Sequence, residues 1–195
     1  MPLIIKIMLF SLLCSLPAWE LVWRLLNDEL GANPVEFLEH ATGDWTINFL
    51  LMTLTITPIQ KVFRPNWNKW LFPMHVVRRV LGLSAFAYAL LHLATYLVFD
   101  MRLSLDDTIT DIIERPFILI GMIALTLLIP LAVTSTAGWQ RRLKQHWQTL
   151  HKAIYLLSFL GLLHYALLVK ADLLQPLIYL GLFGIVMLFR IRIQR

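Results

Sequence analysis

The chain is 195 residues long, 58% hydrophobic and only 15% charged, with a mean hydropathy of +0.70, whereas a soluble domain carries about 25% charged residues. That balance excludes an ordinary water-soluble globule, and the single cysteine, Cys14, excludes an intramolecular disulfide, a thiolate zinc cage and a cysteine-held iron–sulfur cluster. The net charge of +5 reads as topology rather than nucleic-acid binding, because Lys and Arg of a membrane chain sort by the side of the bilayer they face.

The first segment, Leu3 to about Trp23, carries Lys6, Pro17 and Glu20. It is expected as a membrane span rather than a secretory leader, since Leu16 stands two residues before Ala18, where a cleavage site needs a small residue, and Leu13 before Cys14 spoils a lipoprotein site. Uncharged runs then extend from Trp45 to Gln60, Val80 to Phe99, Pro116 to Gln140, Ala153 to Val169 and Leu173 to Phe189. A helix crosses the hydrocarbon layer with about 20 mainly apolar residues. The runs are continuously apolar, not alternating as in barrel strands. An all-α polytopic membrane protein with six transmembrane helices is therefore expected, as one transmembrane domain over 1–195. No connecting segment is long enough for a folded soluble domain.

Six spans bring both termini to one side, and the connecting charges separate almost completely. Lys6, Lys61, Arg64, Lys69, Arg78, Arg79, Arg141, Arg142, Lys144, Lys152, Arg190, Arg192 and Arg195 lie on one side with no acid among them. The other side holds Arg24, Arg102, Arg115, Lys170 and all 12 acids. The positive-inside rule makes the first side, and both termini, cytoplasmic. The acidic connections, Asn27 to Asp44 and Asp100 to Arg115, are expected as outer loops that could receive a partner.

Ionisable side chains inside a span are costly and point to function, which singles out His92 and His164. Both spans run outward, and both histidines lie 13 residues beyond an equivalent start, Arg79 and His151. Thirteen residues amount to roughly 20 Å of helix, so the two reach similar depth in the outer half of the bilayer. Two histidines at one depth on different helices can clamp a planar iron porphyrin, which as b-type heme has no covalent link and relies on axial imidazoles and apolar packing. Phe86, Tyr88, Ala89, Ala94, Tyr96, Gly161 and Tyr165 are compatible with a ring wedged there, and equally with ordinary helix packing. The plain alternative for either histidine is an interhelical hydrogen bond. His151 sits at the cytoplasmic edge, about 140° around the helix from His164 at 100° per residue; a partner for a second heme would be needed near Arg78 or Arg79, where the nearest histidine is His75. His40 and His146 read as loop histidines. The arginines Arg78, Arg79, Arg141 and Arg142 satisfy topology, with grip on an anionic cofactor group as the functional alternative.

Several stretches resemble one family. Arg78-Arg79-Val80-Leu81-Gly82-Leu83, Ala85-Phe86-Ala87-Tyr88 and Leu91-His92 are similar to the third span of MsrQ-type proteins. So are Thr55-Ile56-Thr57-Pro58, the segment from Arg115-Pro116-Phe117 to Thr134-Ser135, and that from Trp147-Gln148-Thr149-Leu150-His151 to Leu163-His164-Tyr165. This family is the heme-binding membrane subunit of the periplasmic protein-methionine-sulfoxide reductase system, within the ferric-reductase-like transmembrane group. The resemblance implies heme ligation by His92 and His164, and at His151 a third histidine considered for a second heme. The missing fourth histidine favours one heme b over two. It also implies FMN, electrons from the quinone pool or a cytosolic flavin reductase, and a periplasmic molybdopterin reductase subunit as acceptor. The chain is then an electron-transfer cytochrome b of the bacterial inner membrane, substrate catalysis lying on the partner. The rival readings are a transmembrane ferric or other metal reductase, and a heme-free transporter or proton channel using the intramembrane histidines.

Overall fold

A computed structural model of the chain describes residues 2–62, 73–169 and 173–194. Arg64, Lys69, Lys170, Asp172 and Arg195 of the charge pattern lie outside the described residues. The described residues form helices and no strand: α1 (Leu3–Leu26), α2 (Pro34–Val62), α3 (Met74–Thr95) continued by a π-helical turn (Tyr96–Asp100), α4 (Leu105–Glu114), α5 (Pro116–Val133), α6 (Ala137–Leu143), α7 (Gln145–His151), α8 (Ala153–Leu168) and α9 (Leu174–Gln194). The fold is all-α.

Among the described residues, five stretches are long and apolar enough to cross a membrane: Leu3–Leu26, Met74–Asp100, Pro116–Val133, Gln145–Leu168 and Leu174–Arg192. The expected second span lies on α2, whose 29 residues exceed the length a crossing needs. Four threonines, Thr46, Thr53, Thr55 and Thr57, dilute its apolar character. Three of them donate to carbonyls three or four residues back, Thr46 to Thr42, Thr53 to Phe49 and Thr55 to Met52, which satisfies the hydroxyls without water. Along α1, Leu3, Ile4, Met8, Leu12, Leu13 and Trp19 are exposed, as are Leu174, Leu177, Ile185 and Leu188 on α9. Apolar surface on this scale belongs in a lipid solvent.

The acidic connections are more helical than their sequence suggests. Asn33 accepts from the Glu36 amide at 3.4 Å and Pro34 follows at the first helical position, a start that suits both residues. The helix therefore begins eleven residues before Trp45, and His40, expected in a loop, rides on it. Ser104 accepts from the Asp107 amide at 3.3 Å and opens α4 inside the second connection. His146, also expected in a loop, lies on α7. The run Pro116 to Gln140 is likewise longer than its helix: α5 stops at Val133, where the Thr134 and Ser135 hydroxyls donate to the Pro130 and Leu131 carbonyls. Trp147 closes that end by donating its indole N–H to the Thr134 carbonyl at 2.9 Å.

The chain divides into two compact units. The first, Met1–Ile56 with Phe63–Thr108, packs α1 against α3. Phe49 and Tyr88 meet at 5.2 Å between ring centroids, with Trp45 beside both. Pro17 interrupts α1, since it has no N–H and its ring crowds the carbonyl four residues back. Tyr88 mends the opening: its hydroxyl donates to the Cys14 carbonyl at 3.1 Å and accepts from the Ala18 amide at 2.8 Å. In an uninterrupted helix those two backbone groups would bond each other. Tyr88→Phe leaves both wanting in a dry interior, and a loss of about 1–3 kcal/mol is expected, read as a lower denaturation midpoint in detergent.

The second unit, Thr57–Val62 with Ile109–Arg195, is built on α5 packed along α8. Leu128, Leu131, Leu157 and Leu162 are its buried core. Helix α9 joins α8 through Tyr165, which donates to Gln175 at 2.9 Å and meets Tyr179 edge-on at 6.0 Å. Arg190 lies over the Tyr155 ring at 5.0 Å.

Candidate functional site

His92 belongs to the first unit and comes from α3, four residues before the π-helical turn. Its Nδ1 lies 3.0 Å from the Glu39 backbone carbonyl and 3.3 Å from the Thr42 hydroxyl. A carbonyl can only accept, so Nδ1 carries the proton and, in the neutral ring, the lone pair is on Nε2. The Thr42 hydroxyl spends its own proton on the Leu38 carbonyl at 2.7 Å, which makes its oxygen a second acceptor for the imidazole. Gly43 faces the ring, and a Cβ there would stand 3.4 Å from Cε1.

The same end of this unit holds the Glu39 carboxyl, ahead of the apolar part of α2. Burial pushes its pKa up to about 7, with Asp100 beside it and Glu36 nearby adding to the rise. A protonated carboxyl suits that place better than a second anion.

His164 belongs to the second unit and repeats the arrangement on α8. Its Nδ1 lies 2.6 Å from the Phe117 backbone carbonyl, which again assigns the proton to Nδ1 and the lone pair to Nε2. The Phe117 ring flanks the imidazole at 5.9 Å. Gly121 of α5 is tighter on it: a Cβ there would fall 2.9 Å from Nδ1, closer than real Cβ contacts come, and 3.1 Å from Cε1. This glycine provides the clearance in which the ring lies.

His151, at the end of α7, sits in the second unit too. Its ring stacks on Trp147 at 3.9 Å between centroids, and its Nδ1 lies 3.0 Å from the Trp147 carbonyl. Its Nε2 is buried with no hydrogen-bond partner among the described residues. Ser158 on α8 has a buried hydroxyl with no hydrogen-bond partner among the described residues either.

A neutral imidazole whose Nδ1–H is pinned to a backbone carbonyl is the form in which histidine ligates a metal, because the second bond sets both tautomer and ring orientation. His92 and His164 both have it, and their donor chemistry fits the axial positions of an iron porphyrin. Two aromatic residues placed beside the histidines by sequence are engaged otherwise: Tyr88 with α1 and Tyr165 with α9. Sequence reading passed over Gly43 and Gly121. The available signal was that each is the lone glycine of its helix, where glycine costs about 1 kcal/mol against alanine.

Residues 42–162 match the family model described as ferric reductase like transmembrane component, a stretch that contains His92 and His151 and ends two residues before His164. The chain is 44% identical over 191 residues to the protein-methionine-sulfoxide reductase heme-binding subunit MsrQ of Herminiimonas arsenicoxydans, covering 96% of this chain and 84% of that protein. The chain belongs to the MsrQ family. MsrQ of Azospira oryzae is 44% identical over 189 residues, with 96% of this chain and 78% of the relative covered. MsrQ of Rhodospirillum rubrum is 43% identical over 182 residues, with 91% and 83% covered. The MsrQ relatives thus align with nearly the whole chain, both units included.

Proposed function

We propose that this chain is the heme-binding, electron-transfer subunit of a protein-methionine-sulfoxide reductase system, a cytochrome b with His92 and His164 as axial ligands. The observation that carries the reading is that both intramembrane imidazoles have Nδ1 set against a backbone carbonyl, so that each presents the Nε2 lone pair a heme iron requires. When bound, the heme supplies a one-electron carrier inside the bilayer. The protein's part would be to offer imidazoles each fixed by a backbone carbonyl, and to exclude water with apolar helices.

The same reading takes the chain as one transmembrane domain of the bacterial inner membrane, with six spans, α2 among them, and both termini cytoplasmic. The charge pattern supports that orientation. Electrons enter from the quinone pool or a cytosolic flavin reductase by way of FMN, and leave outward to a periplasmic molybdopterin subunit that reduces oxidised methionine. Family resemblance is the support for FMN and for those partners. His151 serves the inner half as a relay or at the flavin site, and its buried Nε2 suits such work. One heme per chain is expected, His151 being the ligand a second would use.

The test is a reduced-minus-oxidised absorption spectrum of the purified full chain, with heme extracted and counted. A b-type spectrum near one heme per chain is the expected result; two would make His151 a ligand. No heme in protein made with ample heme supply would overturn the reading and favour a transporter. The ferric-reductase family match favours direct reduction of external metal as a second reading. It requires the heme-loaded chain alone, supplied with electrons, to reduce a ferric chelate.

A further inference from the structure

At the basic end of the second unit, the link from α5 to α7 forms a groove of about 430 Å³ lined by Thr136, Gly138, Trp139, Arg141 and Arg142. We propose that this groove binds a phosphate group, and that a membrane lipid headgroup is its source. The inference does not depend on the heme reading.

Charge comes first. From Thr134 to Lys152 the sequence holds Arg141, Arg142, Lys144 and Lys152 and no acid, and the two arginines that line the groove are exposed and appear in no ion pair among the described residues. Guanidinium forks match phosphate oxygens two at a time. Topology requires positive charge here but does not require arginine, a hydroxyl and an indole to share one concavity. The Arg142 guanidinium is already placed, 5.5 Å over the Trp139 ring, which limits the ordering cost of binding.

The neutral lining fits as well. The Thr136 oxygen accepts from the Trp139 amide at 3.4 Å, which leaves its own proton to donate to an incoming oxygen. At Gly138 an added Cβ would meet only the Thr136 hydroxyl, at 3.9 Å, so the glycine keeps the floor open beside that donor. Lys144, with φ 46°, turns the chain sharply between α6 and α7 and holds the arginine-bearing turn against its neighbour. A strained non-glycine residue of this kind persists where the surroundings fix it.

Position decides the source. The groove follows directly on α5, 18 residues with no charge, a length that ends near the headgroup level of a bilayer. Trp139, 38% exposed, is of the type that settles in that interface. A headgroup phosphate reaches the arginines without leaving the membrane, and basic pockets at this level take anionic lipid. A soluble phosphate offers the same oxygens and is the other source to separate.

The test uses the full chain in phosphatidylcholine nanodiscs with and without phosphatidylglycerol, and in detergent with inorganic phosphate. Wild type should retain phosphatidylglycerol over phosphatidylcholine in native mass spectra. The pair Arg141→Lys and Arg142→Lys keeps the topological charge but loses the planar fork, and should weaken retention about tenfold; Trp139→Phe should weaken it less. Heme content should be unchanged in both variants, which separates this site from the histidines. Inorganic phosphate that binds in detergent, and is lost in the lysine pair, with no preference among lipids, would keep the phosphate site and overturn the lipid source. Equal lipid and phosphate binding by wild type and the lysine pair would overturn the proposal.

Discussion

His164→Ala is expected to leave a chain that inserts and folds but purifies with less than about one tenth of the wild-type heme. Replacing a mere supporting partner of a metal-ligating histidine already costs about 10–100-fold, and removal of the ligand costs more. The fold should survive, since the packing of this unit is dominated by Leu128, Leu131, Leu157 and Leu162. His92→Ala should behave alike, its imidazole being held by Glu39 and Thr42 in the first unit. The readouts are extracted heme per chain and the low-spin bis-imidazole signal, with added imidazole restoring part of that signal. His151→Ala should retain the heme, because its ring rests on Trp147 at the end of α7, thirteen residues before His164. Full occupancy in both the His92 and His164 variants would sink the ligand assignment.

Gly121→Ala is the second large effect, from one methyl group that touches no heme ligand atom covalently. The new Cβ would stand 2.9 Å from His164 Nδ1, 3.1 Å from Cε1 and 3.3 Å from Cγ, so the whole ring must move. Its Nδ1 is tied to the Phe117 carbonyl at 2.6 Å; a ring pushed off Gly121 loses that bond, and with it both tautomer and orientation. Heme retention should fall about 10–100-fold, the range seen when a ligand's supporting contact is lost. Gly43→Ala is the internal control: its Cβ would stand 3.4 Å from the His92 ring, an ordinary contact, and heme should be retained. A change of Soret position and ligand-field signal in the Gly121 variant, with an unchanged unfolding midpoint, would tie the loss to the ring rather than to general instability. Wild-type heme content in Gly121→Ala would remove the clearance argument.

Much of this molecule was legible as a pattern of solvents. Long uncharged runs dictate helices, because in lipid each backbone group must be satisfied within its own segment. The sorting of Lys and Arg from Asp and Glu along the chain is visible without coordinates. So was the choice of His92 and His164, since an ionisable group in an apolar run is expensive wherever the run lies. Reading by apolar runs failed where helices continue into polar sequence. Helix α2 starts at Pro34 and α4 fills an expected loop, because Asn33 and Ser104 cap them locally and capping does not depend on hydrophobicity. It failed again at Thr134, where hydroxyls end α5 within an uncharged run.

What the sequence by itself determined, then, is the class of fold, the membrane as solvent, the charge asymmetry and the identity of the candidate ligands. Tertiary structure alone decided which ring nitrogen each histidine offers. The Glu39 and Phe117 carbonyls that make that choice lie 53 and 47 residues away in the chain, and a backbone carbonyl carries no residue identity to read. It also decided that Gly121 is clearance for a ring rather than a flaw in a helix, and that Tyr88 spans the break Pro17 opens in α1. Burial in lipid is a property of segments and shows in composition; hydrogen-bond direction and a few tenths of an ångström of clearance are properties of packed pairs, and appear only when the helices meet.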